Sequence, residues 1–572
     1  MKRAIVALAL ARLACGAALE AWPEHRRPDP FGNAVEADRK AAAGAPTLAG
    51  ARGGYVSCHL VVKAAGPYTL SVEMGNGLQA DLYREWFHFV DRGKRYYPDA
   101  LVPVQAPYKA QIPDPDNKVP GQTAQAFWLD VWVPRDAKPG VYRGSATLEA
   151  GGERVALPLA VKVLAAVIPE EDAVAIDHNS YGRLGTPERV HALYRLFYEH
   201  RGVFHNLGYG HGGKVAPEYA PALEGSGRQK RIASWELYDR HYGPLLDGSA
   251  FAGTRRGARP IPFVYLPINP EWPASYLWWG EPGYEAEFVN VVSAMERHFR
   301  EKGWTHTDFE LFFNHKKRYK AFPWDGDETR FPHDLPYYGE YARLMKKAVP
   351  ADTPVKFVFR ADVSWMMARQ FKELAGMVNF WVCGGTELSW HREAVAEVKK
   401  RGDIVWYYGS APLVTEPASA ITLNPIQVWM RGIDGYVHWL VTGAGRDPWF
   451  HFDGGATALV YSGERFGVNG PLASLRLKLQ RNAVQEITLL DSFKTRRPLE
   501  ALKAEAAKRY NGSTPDQWWT PRPPVADRPA WELNNADIGE APNPNARLFR
   551  SLDPAAWQHV REFILQEAEV GK

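Results

Sequence analysis

Between residues 169 and 470 the chain repeats one grammar: a short apolar run, a polar loop, then a helical pattern. The runs are AVAID, VFHNLGY, IPFVYLP, FELFF, VKFVFR, NFWVCG, IVWYYG and YVHWLV, each apolar enough to be buried on both faces as in a parallel sheet. Between them stand patterns such as RVHALYRLFYEH, FVNVVSAMERHFREKG and YYGEYARLMKKAV, which carry apolar residues at helical spacing. Gly303 and Gly402 follow basic residues where helix C-caps belong. Eight such units predict a (β/α)8 barrel of the TIM type.

The 572 residues leave room for more than that barrel. From residue 50 to 168 the runs YVSCHLVV, YTLSVEM, LQADLYREWFHFV, AFWLDVWVP, GVYRGSATLEA and RVALPLAVKVL alternate and are separated by Gly, Pro and Asp, which predicts an antiparallel β-sandwich. Trp86, His88, Trp128 and Trp132 read there as core, with a sugar-binding face as the alternative. Residues 19–49, rich in Pro, Ala and charge, read as a flexible lead, or else a peripheral strand. Beyond 471, three helical patterns are expected to pack outside the barrel, with a Pro- and Asn-rich loop over about 512–547. Residues 1–18 have the order of an export signal: Lys2 and Arg3, an apolar run, then small residues. This predicts a periplasmic or extracellular protein, and a lipid anchor on Cys15 competes with simple cleavage. No later run is apolar enough to span a bilayer. A net charge of +4 without a basic block argues against a nucleic-acid partner. Cys58 and Cys383 fall in different predicted domains and read as buried free thiols. The oligomeric state is not legible.

Catalytic groups of a barrel come from the C-terminal ends of its strands. That rule collects Asp177, His178, Asn179 and Tyr181 after the first strand, and His205, Asn206, Tyr209 and His211 after the second. Tyr265, Asn269, Glu271 and Trp272 belong to the third; Asn314, His315, Trp324, Asp327 and Glu328 follow the fourth. Arg360 and Asp362 end the fifth, Tyr407 and Tyr408 the seventh, and Trp439 the eighth. Amides and carboxylates bind hydroxyls while aromatics stack on C–H faces, so this ring fits a polyhydroxylated ligand, a carbohydrate. In FELFFNHKKRYKAFPWDGDE the adjacent Asp327 and Glu328 are candidates for general acid and orienting group at an anomeric centre. Solvated surface is the plain alternative. Glu271 is a second candidate acid, or a helix-start charge. Arg360 and Asp362, two apart on one strand, share a face as ion pair or as ligands. The histidines lack tight metal-ligand spacing, and neither a metal nor another cofactor is expected. The rival reading is a non-catalytic glycan-binding or envelope scaffold protein.

The stretches GGYVSCHLVV, YYPDALVPV, PGVYRG, IDHNSYG, YLPINPEWP, FRADVSW, WYYGSAP, DGYVHWLV and LASLRLKLQR occur in an order that resembles secreted bacterial proteins of the glycoside hydrolase family 123 type, also known as domain of unknown function 4091. The likeness covers roughly residues 50–490. It implies a sandwich followed by a barrel, and retaining hydrolysis of N-acetylgalactosaminides in which the substrate's acetamido oxygen attacks the anomeric carbon. On that model Asp327 polarises the acetamide, and Glu328 protonates the leaving oxygen and later activates water. Glu328 then has to be kept protonated by burial or by its neighbour. Characterised members carry the Asp-Glu pair directly after the fourth strand. Here Asn314 and His315 stand there, as in a less studied branch whose later Asp-Glu-Pro becomes Asp327-Glu328-Thr329. The tail stretch RNAVQEITLL also departs from that branch.

Overall fold

The computed structural model describes residues 16–519 and 553–570, apart from 76, 275–280, 321, 330, 365–366, 385–386 and 453–456. The export signal up to Cys15 and most of the expected loop over 512–547 lie outside these residues.

The first half of the fold is two five-stranded sheets. Its strands are β1 (Ala18–Trp22), β2 (Ala49–Arg52), β3 (Gly54–Lys63), β4 (Gly66–Met74), β5 (Gln79–Val90), β6 (Arg95–Val104), β7 (Tyr108–Ile112), β8 (Ala124–Val133), β9 (Gly140–Ala150) and β10 (Glu153–Val167). The orders are β1-β3-β8-β5-β6 and β2-β10-β9-β4-β7, antiparallel except where β2 joins β10. Alternate residues of both sheets share one core: Val56, Cys58 and Leu60 from β3, Leu129 and Val131 from β8, Leu148 from β9, Val161 from β10. Trp86, His88, Trp128 and Trp132 are buried, as the core reading requires. Cys58 and Cys383 are free and buried. The lead takes the form of the peripheral strand that was the alternative to a flexible segment. It supplies β1 as an edge strand paired to β3, and Arg27, ion-paired to Asp38 at 2.6 Å, donates to Val414 O at 2.7 Å in the second half of the fold.

Eight strands follow in one parallel sheet, nearly closed into a barrel: β11 (Ala175–Tyr181), β12 (Val203–Leu207), then, after a small hairpin of β13 (Ala222–Glu224) and β14 (Arg231–Ser234), β15 (Phe263–Tyr265), β16 (Asp308–Leu311), β17 (Lys356–Val363), β18 (Phe380–Gly384), β19 (Ile404–Gly409) and β20 (Gly435–His438). Their order, β12-β11-β20-β19-β18-β17-β16-β15, is cyclic. The seam between β12 and β15 lacks a ladder, and side chains bridge it: the His205 ring lies on Tyr265 at 3.5 Å and 2°. A helix stands after each strand: α1 (Pro187–Glu199), α2 (Glu236–Leu246), α3 (Tyr284–Glu301), α4 (Leu335–Ala348), α5 (Met367–Glu373), α6 (Arg392–Lys400), α7 (Leu423–Arg431) and α8 (Leu475–Ser492). α9 (Leu499–Asn511) and α10 (Ala556–Val570) close the described chain.

Inward side chains alternate along each strand, so the barrel interior is layered. Val203, Phe263, Val358, Phe380, Val382, Trp406 and Val437 form an apolar floor. Above it lie Asp177, His205, Glu310 and Arg360, all essentially without solvent exposure.

α8 was expected on the barrel's exterior, and it is more than that. Sixteen of its residues, Leu475 through Leu490, are buried, because its other face takes the sandwich. Asp130 of β8 meets Lys478 Nζ at 2.6 Å and Arg481 Nη2 at 2.7 Å, and Asp99 of β6 meets Arg476 Nη2 at 2.8 Å. Gln480 joins the barrel side through His178 Nε2 at 2.7 Å. The tail stretch RNAVQEITLL is therefore an interface, with Arg481, Asn482 and Gln485 buried against the first half of the chain and Glu486 buried against Trp557 and Arg561 of α10. Burial alone would raise the Asp130 carboxyl, yet Arg481 and Lys478 hold it well below the carboxylate range. Removing one member of such a pair strands the others in a dry interior. Asp130→Ala should therefore cost about 3–5 kcal/mol in denaturant unfolding, and a loss below about 1 kcal/mol would contradict this account.

Candidate active site

The loop after β16 decides what occupies the barrel mouth. Along Glu310, Phe312 and Asn314 the chain keeps the inward alternation; Arg360 lies 4.4 Å over the Phe312 ring. Phe309, Leu311 and Phe313 face the helices. The loop then turns back on an aromatic core of its own. Trp324 is buried, stacked on Tyr337 at 4.9 Å and 8°, and edge-on to Phe313 at 5.1 Å and His315 at 4.5 Å. Gly326 seats directly on the strand end: a Cβ there would come within 2.5 Å of Phe313 Cβ and 2.7 Å of His315 Cε1. Its N–H donates to His315 O at 3.0 Å, and Tyr338 Oη donates to its carbonyl at 2.9 Å. This close approach returns Asp327 and Glu328 to the mouth.

The two acids have different surroundings. Asp327 is 13% exposed and Glu328 37%. Lys316 Nζ lies between them, 2.9 Å from Asp327 Oδ2 and 3.4 Å from Glu328 Oε2. Burial, opposed by Lys316 and reinforced by the nearby Asp362, pushes the Asp327 carboxyl up to about 7. The expected burial of Glu328 falls on its neighbour instead. Glu328 has a left-handed backbone, φ 48°, a conformation that costs an L residue on the order of 1–3 kcal/mol and is concentrated at functional sites. Leu440, φ 55°, does the same beside Trp439.

The structure also brings several of the other expected residues into contact with one another. Asp362 has both carboxylate oxygens on Arg360, at 2.7 Å to Nε and 3.2 Å to Nη2. Arg360 Nη1 reaches Tyr265 Oη at 2.9 Å, Glu310 Oε2 at 3.3 Å and Asp177 Oδ2 at 3.4 Å. Asn179 donates to Tyr265 Oη at 3.0 Å. Asn314 is buried, and neither polar atom of its side chain has a hydrogen-bond partner among the described residues. His211 donates from Nδ1 to Asn314 O at 2.7 Å and lies 3.7 Å from Asp327 Oδ2, with Tyr319 stacked on it at 5.0 Å and Tyr181 6.2 Å away. Tyr408 is half-buried at an inward position, and Trp439 is 40% exposed at the end of β20.

Other expected members serve elsewhere. The His315 ring lies in the loop's aromatic core, where burial pushes it down to about 3. Asn269 shapes its own turn, donating to Pro267 O and accepting from Glu271 N, and Glu271 is ion-paired to Lys320. His178 points outward to Gln480. The sequence reading missed Glu310 and Lys316. Both had a signal: Glu310 is the lone charge in the apolar run FELFF, and Lys316 continues the inward alternation past Asn314.

Residues 92–150 match the model of the glycoside hydrolase 123 N-terminal domain. The chain resembles glycoside hydrolase family 123. A solved family 123 glycoside hydrolase from Clostridium perfringens, described in terms of glycolipid glycan hydrolysis, superposes with a TM-score of 0.61 at 12% identity, covering 97% of this chain and 100% of that one. At that identity the family 123 likeness is one of fold. A putative α-galactosidase from Bacteroides fragilis (TM-score 0.27, 10% identity, 77% of each chain) and a β-glucuronidase from Parabacteroides merdae (0.26, 8%, 67% of this chain and 45% of that one) are too distant to carry an argument. No curated protein matches the chain.

Two outcomes follow from the loop. Gly326→Ala should cost about 1–3 kcal/mol by overpacking against Phe313 and His315, read in denaturant unfolding. Because the Asp327 carboxyl is raised, the stability it contributes is present at low pH and is lost as pH rises through about 7. Asp327→Asn should therefore gain on wild type by about 2 °C or more in Tm between pH 5 and pH 8. A constant offset would mean that Asp327 is not raised.

Proposed function

We propose that the chain is a glycoside hydrolase whose active site is the mouth of a (β/α)8 barrel. The observation that supports this reading is the return of the Asp327–Glu328 turn to the strand end at His315, with one acid buried, one open and Lys316 between them. A glycosidic oxygen needs a proton as its C–O bond breaks, and the donor has to exchange with water afterwards. Glu328, the more exposed acid, suits that exchange: it protonates the leaving oxygen and then removes a proton from the attacking water. Asp327, the buried acid, is ionised above about pH 7 and then accepts an N–H from the substrate's acetamido group, directing the amide oxygen to the anomeric carbon. Water later opens that cyclic intermediate at the same carbon, with net retention. Asp362 is poorly placed to act as nucleophile, because Arg360 takes both its oxygens. This favours attack by the substrate's own acetamide over direct carboxylate displacement. The substrate class on this reading is an N-acetylhexosaminide, N-acetylgalactosaminides first. Asn179, Asn314 and Asp362 meet its hydroxyls, and Trp439 and Tyr408 its apolar face. The leader over 1–18 exports the enzyme.

The test uses a panel of 4-nitrophenyl N-acetylhexosaminides with natural glycans beside it. Glu328→Gln should lower kcat about 100- to 10,000-fold on natural glycans with little change in KM. Wild-type activity should fall on the acid side as Asp327 gains its proton near pH 7. Undiminished turnover by Glu328→Gln would remove it from the mechanism. The orphaned amide of Asn314, standing at the strand end, favours a second reading in which the mouth only binds. Glycan capture with no released sugar would support that one.

A further inference from the structure

Beneath the mouth lies a charged layer of which the proposed chemistry uses only Asp362, at its upper edge. Three carboxylates, Asp177 of β11, Glu310 of β16 and Asp362 of β17, gather around a single guanidinium, Arg360, with His205 of β12 and Tyr265 of β15 completing the ring. None of these side chains is more than 9% exposed. Arg360, even joined by a protonated His205, cannot balance three buried anions, so at least one acid in this layer keeps its proton.

The hydrogen bonds say which. Asp177 Oδ2 accepts from Arg360 and lies 3.0 Å from His205 Nδ1, so Nδ1 carries a hydrogen, and in the neutral ring Nε2 presents a lone pair. That lone pair faces Glu310 Oε1 at 3.7 Å. Neither atom has another hydrogen-bond partner among the described residues. Two acceptors set against each other in a dry interior are repulsive, and a proton on Glu310 Oε1 turns the pair into donor and acceptor. Burial outweighs the pull of Arg360 beside it and pushes the same carboxyl up to about 7.

We propose that Glu310 is a positioning residue that works as a neutral acid, its proton aimed at His205 Nε2 and its Oε2 accepting from Arg360, so that the guanidinium's charge is left to Asp362 at the mouth. Ionised Glu310 would draw Arg360 down from Asp362 and loosen the wall on which a sugar hydroxyl sits. What Glu310 serves depends on the glycosidase reading of the mouth; its protonation does not.

Glu310→Gln tests this, since the amide has the shape and neutrality of the protonated acid. Wild type alone ionises there, so the Tm of the variant relative to wild type should rise by about 2 °C or more between pH 5.5 and pH 8.5. On 4-nitrophenyl N-acetyl-β-D-galactosaminide, the ratio of kcat/KM at pH 8.5 to that at pH 6.5 should be about threefold or more higher in Glu310→Gln than in wild type, a change that a merely structural role would not produce. A Tm offset that is flat or falls with pH overturns the proposal. So does a variant that fails to fold at both pH values, because a neutral isostere would then be unable to replace the side chain. Wild type inactive on the glycoside counts against the proposed function, and the melting comparison still decides for or against Glu310.

Discussion

Arg360 is the guanidinium on which Asp362, Glu310, Asp177 and Tyr265 converge inside the barrel. A closed ring of parallel strands has one axis, and charges placed on that axis have neither solvent nor backbone amides to satisfy them. Its fork takes Asp362 with two nitrogens and spreads the third over Tyr265, Glu310 and Asp177, so one guanidinium ties β11, β15, β16 and β17 together at one height. The stack of His205 on Tyr265 spans the seam where β12 and β15 lack a ladder. With this layer fixed, the groups one step higher, Asn179, Asp362 and Asn314, have a rigid base.

Rigidity below contrasts with construction by loop above. Asp327 and Glu328 reach the mouth through a segment that carries its own small core, in which Trp324 and His315 pack against Phe313 and Tyr337. The residue that connects this core to the acids is Gly326, where any side chain would collide with the strand end. In such a loop the position of a carboxylate is set by aromatic packing and not by a run of backbone ladder. The left-handed Glu328 is the cost of turning the chain at that point.

Much of this was legible in the residues. Period-two apolar runs announced the two sheets, and apolar runs separated by helical patterns announced the eight parallel strands, because burial on one face or two writes itself into the spacing. The rule that loops after strands line the mouth collected Asp327 and Glu328; the physical reason for their return, the fit of Gly326 on Phe313, involves contacts between residues with no periodic signature. His315 looked like a ligand because it follows a strand, yet ring packing drew it into the loop core. The lead looked mobile from its composition, and Arg27 with Asp38 anchors it through partners hundreds of residues away. Sequence patterns report burial well and report the partner of a charge poorly.

The same limit explains α8. Its run of Arg, Lys, Gln and Asn reads as a solvated face, and a helix polar on one side is ordinarily a surface helix. Here each polar group meets a fixed partner across the junction: Arg476 with Asp99, Lys478 and Arg481 with Asp130, Asn482 with Glu24, Gln485 with Tyr55 O. A purely apolar junction of this size would hold the two halves together without specifying their register. Directional, fully partnered ion pairs permit one docking and penalise slippage, since any shift leaves a buried charge alone. Gln480, bonded to His178 from the next turn of the same helix, carries that fixed docking into β11, and β11 supplies Asp177 and Asn179 to the layers beneath and at the mouth.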